Sequence, residues 1–154
     1  HTSNYDGLYA FMAMLGLGIR VTIFGKDSLF KPPFDKFLTW CGVIPVKRDS
    51  PHGLTQQIVD VVKSHEKIWI ALAPEGTRKN AEHIRSGFYH IATGADIPIV
   101  LFAFDYDHKM IRCLGVMHPT GHYEQDLAAI LVRYQGHFSP KNLDRLAKPL
   151  KNLL

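Results

Sequence analysis

The chain has 154 residues, of which 46% are hydrophobic and 21% charged, a composition that excludes a disordered or low-complexity protein. This length suffices for one domain with a hydrophobic core. The formal net charge of +4 is compatible with anionic partners but does not by itself indicate nucleic-acid binding. Because no nucleic-acid-binding motif is present either, we expect no nucleic acid among the partners.

Two further features concern the location of the protein. The longest apolar stretch, residues 8–19, is shorter than the roughly 18 residues that a membrane span requires. The two cysteines, Cys41 and Cys113, are too few for a disulfide scaffold and are predicted to be buried thiols of a reducing compartment. Position 1 is His rather than Met, which favours the interpretation that further residues naturally precede His1.

Hydrophobic periodicity predicts helices and strands in alternation. The predicted helices span residues 6–18, 34–41, 50–64, 86–95, 123–134 and 139–154, the last interrupted at Pro149. The predicted strands span residues 20–24, 43–46, 68–73, 97–104 and 110–117. The run 68–73 is almost continuously apolar, which is typical of a central strand covered on both faces. The pattern predicts an α/β fold for a single domain over residues 1–154, with a mixed, mostly parallel sheet flanked by helices and one antiparallel hairpin.

The first candidate motif combines His1 with Asp6. An imidazole whose far nitrogen is held by a carboxylate is a common general base for deprotonating an alcohol. The alternative is that His1 has no role and that Asp6 caps or charges the first helical turn. Ser3 lies between them and is interpreted as a cap or turn residue rather than a nucleophile.

The second candidate motif directly follows the predicted strand 68–73. It contains Glu75, Gly76, Thr77 and Arg78. Backbone N–H groups and a guanidinium at such a turn can face a phosphate, and Glu75 can accept a hydrogen bond from a substrate hydroxyl. Upstream, Arg48 closes the motif that begins at Gly42 and also places a cation at a strand end. The alternative for both places is an ordinary solvated turn.

These motifs, followed by the proline-containing run 97–100, occur in an order and spacing that resemble the glycerolipid acyltransferase family over residues 1–104. Lysophosphatidic acid acyltransferases are among its best-known members. The resemblance implies a glycerolipid-acyltransferase-like fold, with His1 as general base and Asp6 as its partner. It also implies that the substrate-binding residues are Arg48, Glu75, Gly76, Thr77 and Arg78.

The resemblance further implies transfer of a fatty acyl group from acyl-CoA or acyl carrier protein to a hydroxyl of a lysophosphatidic-acid-like glycerolipid. Both donors are co-substrates, so no bound cofactor is expected, and the scattered histidines predict no metal site. Two alternatives stay open at this point. One is a non-catalytic module that binds lipid or phosphate, and the other is a hydrolase of acyl thioesters.

A membrane surface is a further expected partner because the acceptor is a lipid. Apolar residues at 29–30 and 34–40 are interleaved with Lys26, Lys31 and Lys36. Such a mixture is compatible with shallow insertion beside anionic headgroups. The alternative is that these aromatic residues belong to the core. We therefore expect a cytoplasmic protein that is peripheral at the inner face of the membrane.

Overall fold

The computed structural model of the chain describes residues 2–47, 53–75 and 81–154. Helices and strands alternate along these residues, as the periodicity predicts. The helices are α1 (Asn4–Leu17), α2 (Phe34–Trp40), α3 (Gly53–Lys63), α4 (Gly87–Ala95), α5 (Tyr123–Tyr134) and α6 (Lys148–Lys151). The strands are β1 (Val21–Lys26), β2 (Val43–Val46), β3 (Trp69–Ile70), β4 (Ile99–Asp105) and β5 (Met110–Met117).

The chain divides into two compact units. One comprises Ala10–Leu72 and contains the parallel strands β1 to β3; we call it the parallel unit. The other comprises His1–Tyr9 together with Ala73–Leu154 and contains the antiparallel strands β4 and β5; we call it the hairpin unit. Helix α1 begins in the hairpin unit and ends in the parallel unit.

The parallel unit is built on a three-stranded sheet with the order β2–β1–β3. Ile23 of β1 pairs with Val43, and Val21 pairs with Trp69. Gly42, just before β2, has a φ of 82°, and a side chain there would lie 3.2 Å from the carbonyl oxygen of Val21. Glycine therefore allows the chain to turn from α2 into β2 directly beside β1.

The prediction of a central strand over residues 68–73 is wrong. The strand is limited to Trp69–Ile70 and lies at the edge of its sheet, because β1 occupies the centre. The Trp69 side chain is accordingly 47% exposed. A continuous apolar run does not by itself distinguish a central strand from an edge strand, since the neighbouring strands decide the position.

The hairpin unit contains the apolar core that surrounds β4 and β5, which pair in antiparallel fashion over the whole of β4. The predicted hairpin across residues 105–109 is therefore confirmed. Buried side chains from α4, both strands and α5 form the core, namely Tyr89, Leu101, Met117 and Ile130. Removing this apolar surface from water is the main driving force for packing the two helices on the hairpin.

Most of the helix predicted over residues 139–154 is also wrong. The chain is extended at Ser139, whose N–H donates to the carbonyl oxygen of Phe104 at 3.2 Å. The Ser139 hydroxyl donates to the buried carboxylate of Asp105 at 2.9 Å. These bonds to the end of β4 outweigh local helix propensity, and an α-helix forms only at Lys148–Lys151.

The α/β class is confirmed, with one difference from the predicted sheet. Among the described residues, parallel and antiparallel strands form separate sheets rather than a single mixed one. The assignment of residues 1–154 to one domain stays a prediction. Cys113 is exposed and Cys41 is only partly buried, so the prediction of two buried thiols is wrong. Every helix in the described residues is too short or too polar to cross a bilayer.

Candidate functional site

Ser3 and Asp6 together cap the N-terminus of α1. The Ser3 Oγ accepts the N–H of Tyr5 at 3.2 Å, and Asp6 Oδ2 accepts the N–H of Ser3 at 2.9 Å. This reciprocal pattern is a capping box, which satisfies N–H groups that have no partner within the first helical turn. The interpretation of Ser3 and Asp6 as capping residues is therefore confirmed.

Asp6 makes further contacts that a helix cap does not require. Its Oδ2 also accepts the N–H of Thr2 at 2.6 Å, and its Oδ1 accepts a hydrogen bond from the Tyr106 hydroxyl. Asp6 is only 3% exposed. Thr2 directly follows His1 in the sequence, and His1 itself lies outside the described residues. The predicted partner carboxylate is thus held firmly against the residue that follows the predicted base along the chain.

No pattern in the sequence points to Tyr106, which is 100 positions away from Asp6 and follows β4. Its ring packs against Tyr9 with centroids 6.1 Å apart. Burial raises the pKa of Tyr106, and the hydrogen bond and negative charge of Asp6 raise it further. The hydroxyl therefore stays protonated at neutral pH and acts as a donor. We call Thr2, Ser3, Asp6 and Tyr106 the Asp6 cluster.

Residues that follow Ser139 contribute the outer contacts of the Asp6 cluster. Lys141 Nζ lies 4.3 Å from the ring centroid of Tyr5 and 5.7 Å from that of Tyr106, at distances typical of cation–π contacts. Asn142 Nδ2 donates to the carbonyl oxygen of Thr2 at 3.2 Å. A positive charge therefore lies over two of the rings near Asp6, and the start of α1 is attached to the last part of the chain.

Glu75 is buried and belongs to a second group of residues in the hairpin unit. The N–H of Arg85 donates to the carbonyl oxygen of Pro74 at 2.9 Å, so these two positions lie side by side. A pocket of about 300 Å³ opens next to them, and we call it the Glu75 pocket. Its lining residues are Glu75, Ala81, Glu82, His83 and Arg85.

Hydrogen bonds hold the wall of the Glu75 pocket in place. The N–H of Lys148 donates to the carbonyl oxygen of Ala81 at 2.8 Å. The Tyr123 hydroxyl donates to the carbonyl oxygen of Ile84 at 3.1 Å. Backbone groups of this segment are therefore fixed by α5 and by the residue that begins α6, which makes the wall a rigid support for its side chains.

The Glu75 pocket combines a carboxylate with exposed basic side chains. His83 and Arg85 are both exposed along its wall. Burial raises the pKa of Tyr134 to about 12, and the negative charge of Glu75 contributes in the same direction. Carboxylate, imidazole and guanidinium groups in one pocket can bind a ligand that carries both hydroxyl groups and negative charge.

Most of the predicted site residues fall outside the described part of the chain. These are His1, Arg48, Gly76, Thr77 and Arg78. The remaining two, Asp6 and Glu75, are both buried and belong to the same unit. The predicted roles of all seven in catalysis or substrate binding stay predictions.

A larger pocket of the hairpin unit, of about 540 Å³, contains neither Asp6 nor Glu75. Its lining residues are Arg112, Cys113, Leu114, Arg133 and His137. We place the candidate site at the Asp6 cluster and the Glu75 pocket, because volume alone does not indicate chemistry. In the parts of the chain that the structure describes, no group of three or more His, Cys, Asp or Glu side chains could hold a metal ion.

Comparison with known families places this geometry in context. A family model described as Acyltransferase matches residues 1–104 of the 154-residue chain. The matched segment includes every predicted site residue and ends before Tyr106. No curated protein and no solved structure gives a significant match to the chain.

Proposed function

Because the chain belongs to the acyltransferase family, which includes the glycerolipid acyltransferases, we propose that it acylates a lysophosphatidic-acid-like glycerolipid. The donor of the fatty acyl group is acyl-CoA or acyl carrier protein. Family membership supports acyl transfer in general, and the motifs at His1, Asp6 and Glu75 support a phosphate-bearing alcohol as acceptor.

In the proposed reaction, His1 removes the proton from the acceptor hydroxyl while the hydroxyl oxygen attacks the thioester carbonyl carbon. A carbon–oxygen bond forms, the carbon–sulfur bond breaks, and the departing thiolate receives the proton from the His1 imidazolium. The acceptor itself is the nucleophile, so no nucleophilic side chain is needed. This is consistent with Ser3, whose hydroxyl oxygen already accepts a hydrogen bond in the cap of α1.

The observation that carries the proposal is the engagement of both carboxylate oxygens of Asp6. A helix cap accounts for the bond from the Ser3 N–H to Oδ2, but it does not account for the Thr2 N–H at Oδ2 or for the Tyr106 hydroxyl at Oδ1. A buried carboxylate with a fixed orientation can select the imidazole tautomer of a neighbouring base and stabilise the imidazolium that forms. Asp6 has the burial, and the hydrogen bonds at both oxygens, that this role requires.

We propose that the Glu75 pocket takes part in binding the acceptor. Arg48, Gly76, Thr77 and Arg78 lie outside the described residues, and we keep for them the role that the motifs predict: Arg48 and Arg78 supply charge-assisted hydrogen bonds to the acceptor phosphate, and Gly76 and Thr77 supply backbone N–H groups. Glu75 accepts a hydrogen bond from a glycerol hydroxyl. The exposed Arg85 guanidinium on the wall of this pocket supports the proposal, because it can donate to an anionic group, whereas the exposed carboxylate of Glu82 is paired with Lys148 at 3.2 Å.

A thiol-release assay tests the proposed function against its two alternatives. Purified full-length protein is given acyl-CoA with and without lysophosphatidic acid, and free thiol and acylated product are measured. Transferase activity requires thiol release that depends on the acceptor and equals product formation. Equal release without acceptor would identify a thioester hydrolase, and the absence of release together with lipid binding would identify a non-catalytic module.

We also propose that α2 and the residues before it meet an anionic membrane, which places the protein at the inner face of the membrane as a peripheral protein. None of the residues of α2 is buried. Phe34, Phe37 and Trp40 are 65%, 58% and 74% exposed, so they do not belong to a core. They recur every third residue and thus share one face of the helix. Exposed lysines lie nearby, namely Lys26, Lys31 and Lys36.

Liposome flotation tests this membrane surface. Binding should increase with the anionic lipid content of the vesicles and weaken in high salt, because each cation near the surface contributes about 1 kcal/mol. The double substitution Lys31→Glu with Lys36→Glu should reduce binding, whereas Lys63→Glu, at the end of α3, serves as the control. Equal flotation with neutral and anionic vesicles, unchanged in the double variant, would reject this surface.

A further inference from the structure

Tyr106 lies just after the segment that matches the family model, yet it is hydrogen-bonded to a residue inside that segment. The matched segment is 1–104, and the residue is Asp6, a predicted member of the catalytic pair. The Tyr106 hydroxyl meets Oδ1, whereas the N–H groups of Thr2 and Ser3 both meet Oδ2. A residue that follows the matched segment thereby supplies the donor to one of the two Asp6 carboxylate oxygens.

Tyr106 is itself held in place on several sides. Its ring packs on Tyr9, and its N–H donates to the carbonyl oxygen of Ser139 at 3.3 Å. Among the described residues, the titratable and charged side chains that interact with it include Asp6, Tyr9 and Lys141. Since ring and backbone are both fixed, the direction from which the hydroxyl approaches Asp6 is fixed as well.

We propose that Tyr106 is a positioning residue for acyl transfer, which orients the Asp6 carboxylate and moderates the negative charge that Asp6 offers to the His1 imidazole. The proposal rests on the function proposed above. Tyr106 acts through Asp6 and has no assigned contact with substrate. A donor at Oδ1 withdraws electron density from the carboxylate, so it limits the basicity that Asp6 confers on the imidazole.

The substitution Tyr106→Phe removes the hydroxyl and keeps the ring. We expect kcat to fall by roughly 10-fold, less than the loss of the base itself, and the KM for the acceptor to stay within about twofold. We also expect the acid limb of the pH profile of kcat/KM to move to higher pH. Without the donor, the carboxylate stabilises the imidazolium more strongly, so the base stays protonated to a higher pH.

The matched control is Tyr89→Phe, which removes another buried hydroxyl that donates to a carboxylate of the hairpin unit, that of Asp126. It should lower the melting temperature and leave the acid limb where it is. Tyr106→Phe must move the acid limb. The positioning role is overturned if Tyr106→Phe has the kcat and the acid limb of the wild type. It is also overturned if Tyr106→Phe, like the control, loses activity only in proportion to its loss of melting temperature.

A third variant separates this inference from the proposed function. If His1→Ala abolishes acyl transfer while Tyr106→Phe leaves the pH profile unmoved, the function stands and the role of Tyr106 fails. If the wild-type protein shows no transfer that depends on His1, both fail together. A shifted acid limb in Tyr106→Phe, with transfer that depends on His1, supports both.

Discussion

The hydroxyl of Tyr89 in α4 donates a hydrogen bond of 2.6 Å to the carboxylate of Asp126 in α5. The same carboxylate accepts the N–H of Thr120 at 2.7 Å, and the Tyr89 oxygen accepts the N–H of Gly121 at 2.9 Å. Tyr89 and Asp126 are both buried. A buried charge with a full set of donors therefore joins the two helices and the loop that precedes α5.

This relationship predicts a loss of stability in acid. The hydrogen bond from Tyr89, followed by that from the N–H of Thr120, holds the pKa of Asp126 below its ordinary value of 3.8. A lowered folded-state pKa stabilises the protein above the unfolded-state pKa, and this stability is lost as the pH falls through the folded-state value. Asp126→Asn should lower the melting temperature by several degrees at pH 7.

The pH dependence of the melting temperature distinguishes the loss of the Asp126 charge from a simple loss of packing in Asp126→Asn. As the pH falls from 7 to below 3.8, the difference in melting temperature between wild type and Asp126→Asn should shrink, because the unfolded wild type binds a proton at Asp126 at higher pH than the folded protein does. Glu124→Gln is the control, since Glu124 is an exposed acid in the same helical turn. A constant difference at all pH values would contradict the linkage.

A second prediction concerns the buried carboxylate of Asp105 at the end of β4. Arg112 donates to it through Nε at 3.0 Å and Nη2 at 2.9 Å, and Ser139 donates at 2.9 Å. Although burial opposes ionisation, hydrogen bonds from His108, Arg112 and Ser139 hold the pKa of Asp105 well below its usual range. Arg112→Met, which removes the charge and keeps much of the stem, should lower the urea midpoint of unfolding.

Arg112→Lys tests the geometry of this pair. A lysine ammonium restores the charge but not the pair of guanidinium donors, Nε–H and Nη2–H, that both meet Asp105 Oδ2, so the midpoint should recover only in part. Full recovery with lysine would show that charge alone matters. A wild-type midpoint in Arg112→Met would contradict any stabilising role for the pair.

A third prediction distinguishes the role of His1, which is catalytic only, from that of Asp6, which also stabilises the fold. His1→Ala should lower acyl transfer by roughly 10²–10⁴-fold, the range for a lost general base, with little change in stability. Asp6→Asn should lower transfer as well, and it should also lower the melting temperature, because the amide has one acceptor oxygen in place of the two carboxylate oxygens that Thr2, Ser3 and Tyr106 meet. Activity assays and thermal melts on the full-length protein measure both effects. Full activity of His1→Ala would refute the mechanism.

A fourth prediction concerns the acceptor phosphate. Arg48→Ala and Arg78→Ala should each raise the KM for the acceptor by roughly 10–150-fold, as expected for a lost charge-assisted hydrogen bond, and should affect the KM for acyl donor much less. Lysine at either position should restore binding only in part. Arg133→Ala, in the larger pocket, is the control. Normal acceptor binding in both alanine variants would place the acceptor elsewhere.

The sequence by itself determined those features that depend on neighbours along the chain. The periodicity of residues 123–134 predicts helix α5 with its observed bounds, and the strand-like runs 97–104 and 110–117 on either side of the polar turn 105–109 predict the β4–β5 hairpin. The interpretation of Ser3 and Asp6 as capping residues follows from local chemistry too, because an N-cap satisfies N–H groups only a few residues away. The order and spacing of the motifs at residues 1–6, 42–48, 74–78 and 97–100 likewise indicate the family that the match over residues 1–104 establishes.

Only the tertiary structure decided the contacts between distant segments. The bond from Tyr106 to Asp6 joins residues 100 positions apart, and the bridge from Ser139 to Asp105 turns a predicted helix into an extended segment. The edge position of β3 depends on its pairing with β1 and on nothing within residues 68–73. Local sequence encodes backbone preference and side-chain chemistry, but the partner that satisfies a buried polar group or a strand edge is chosen by how the whole chain packs.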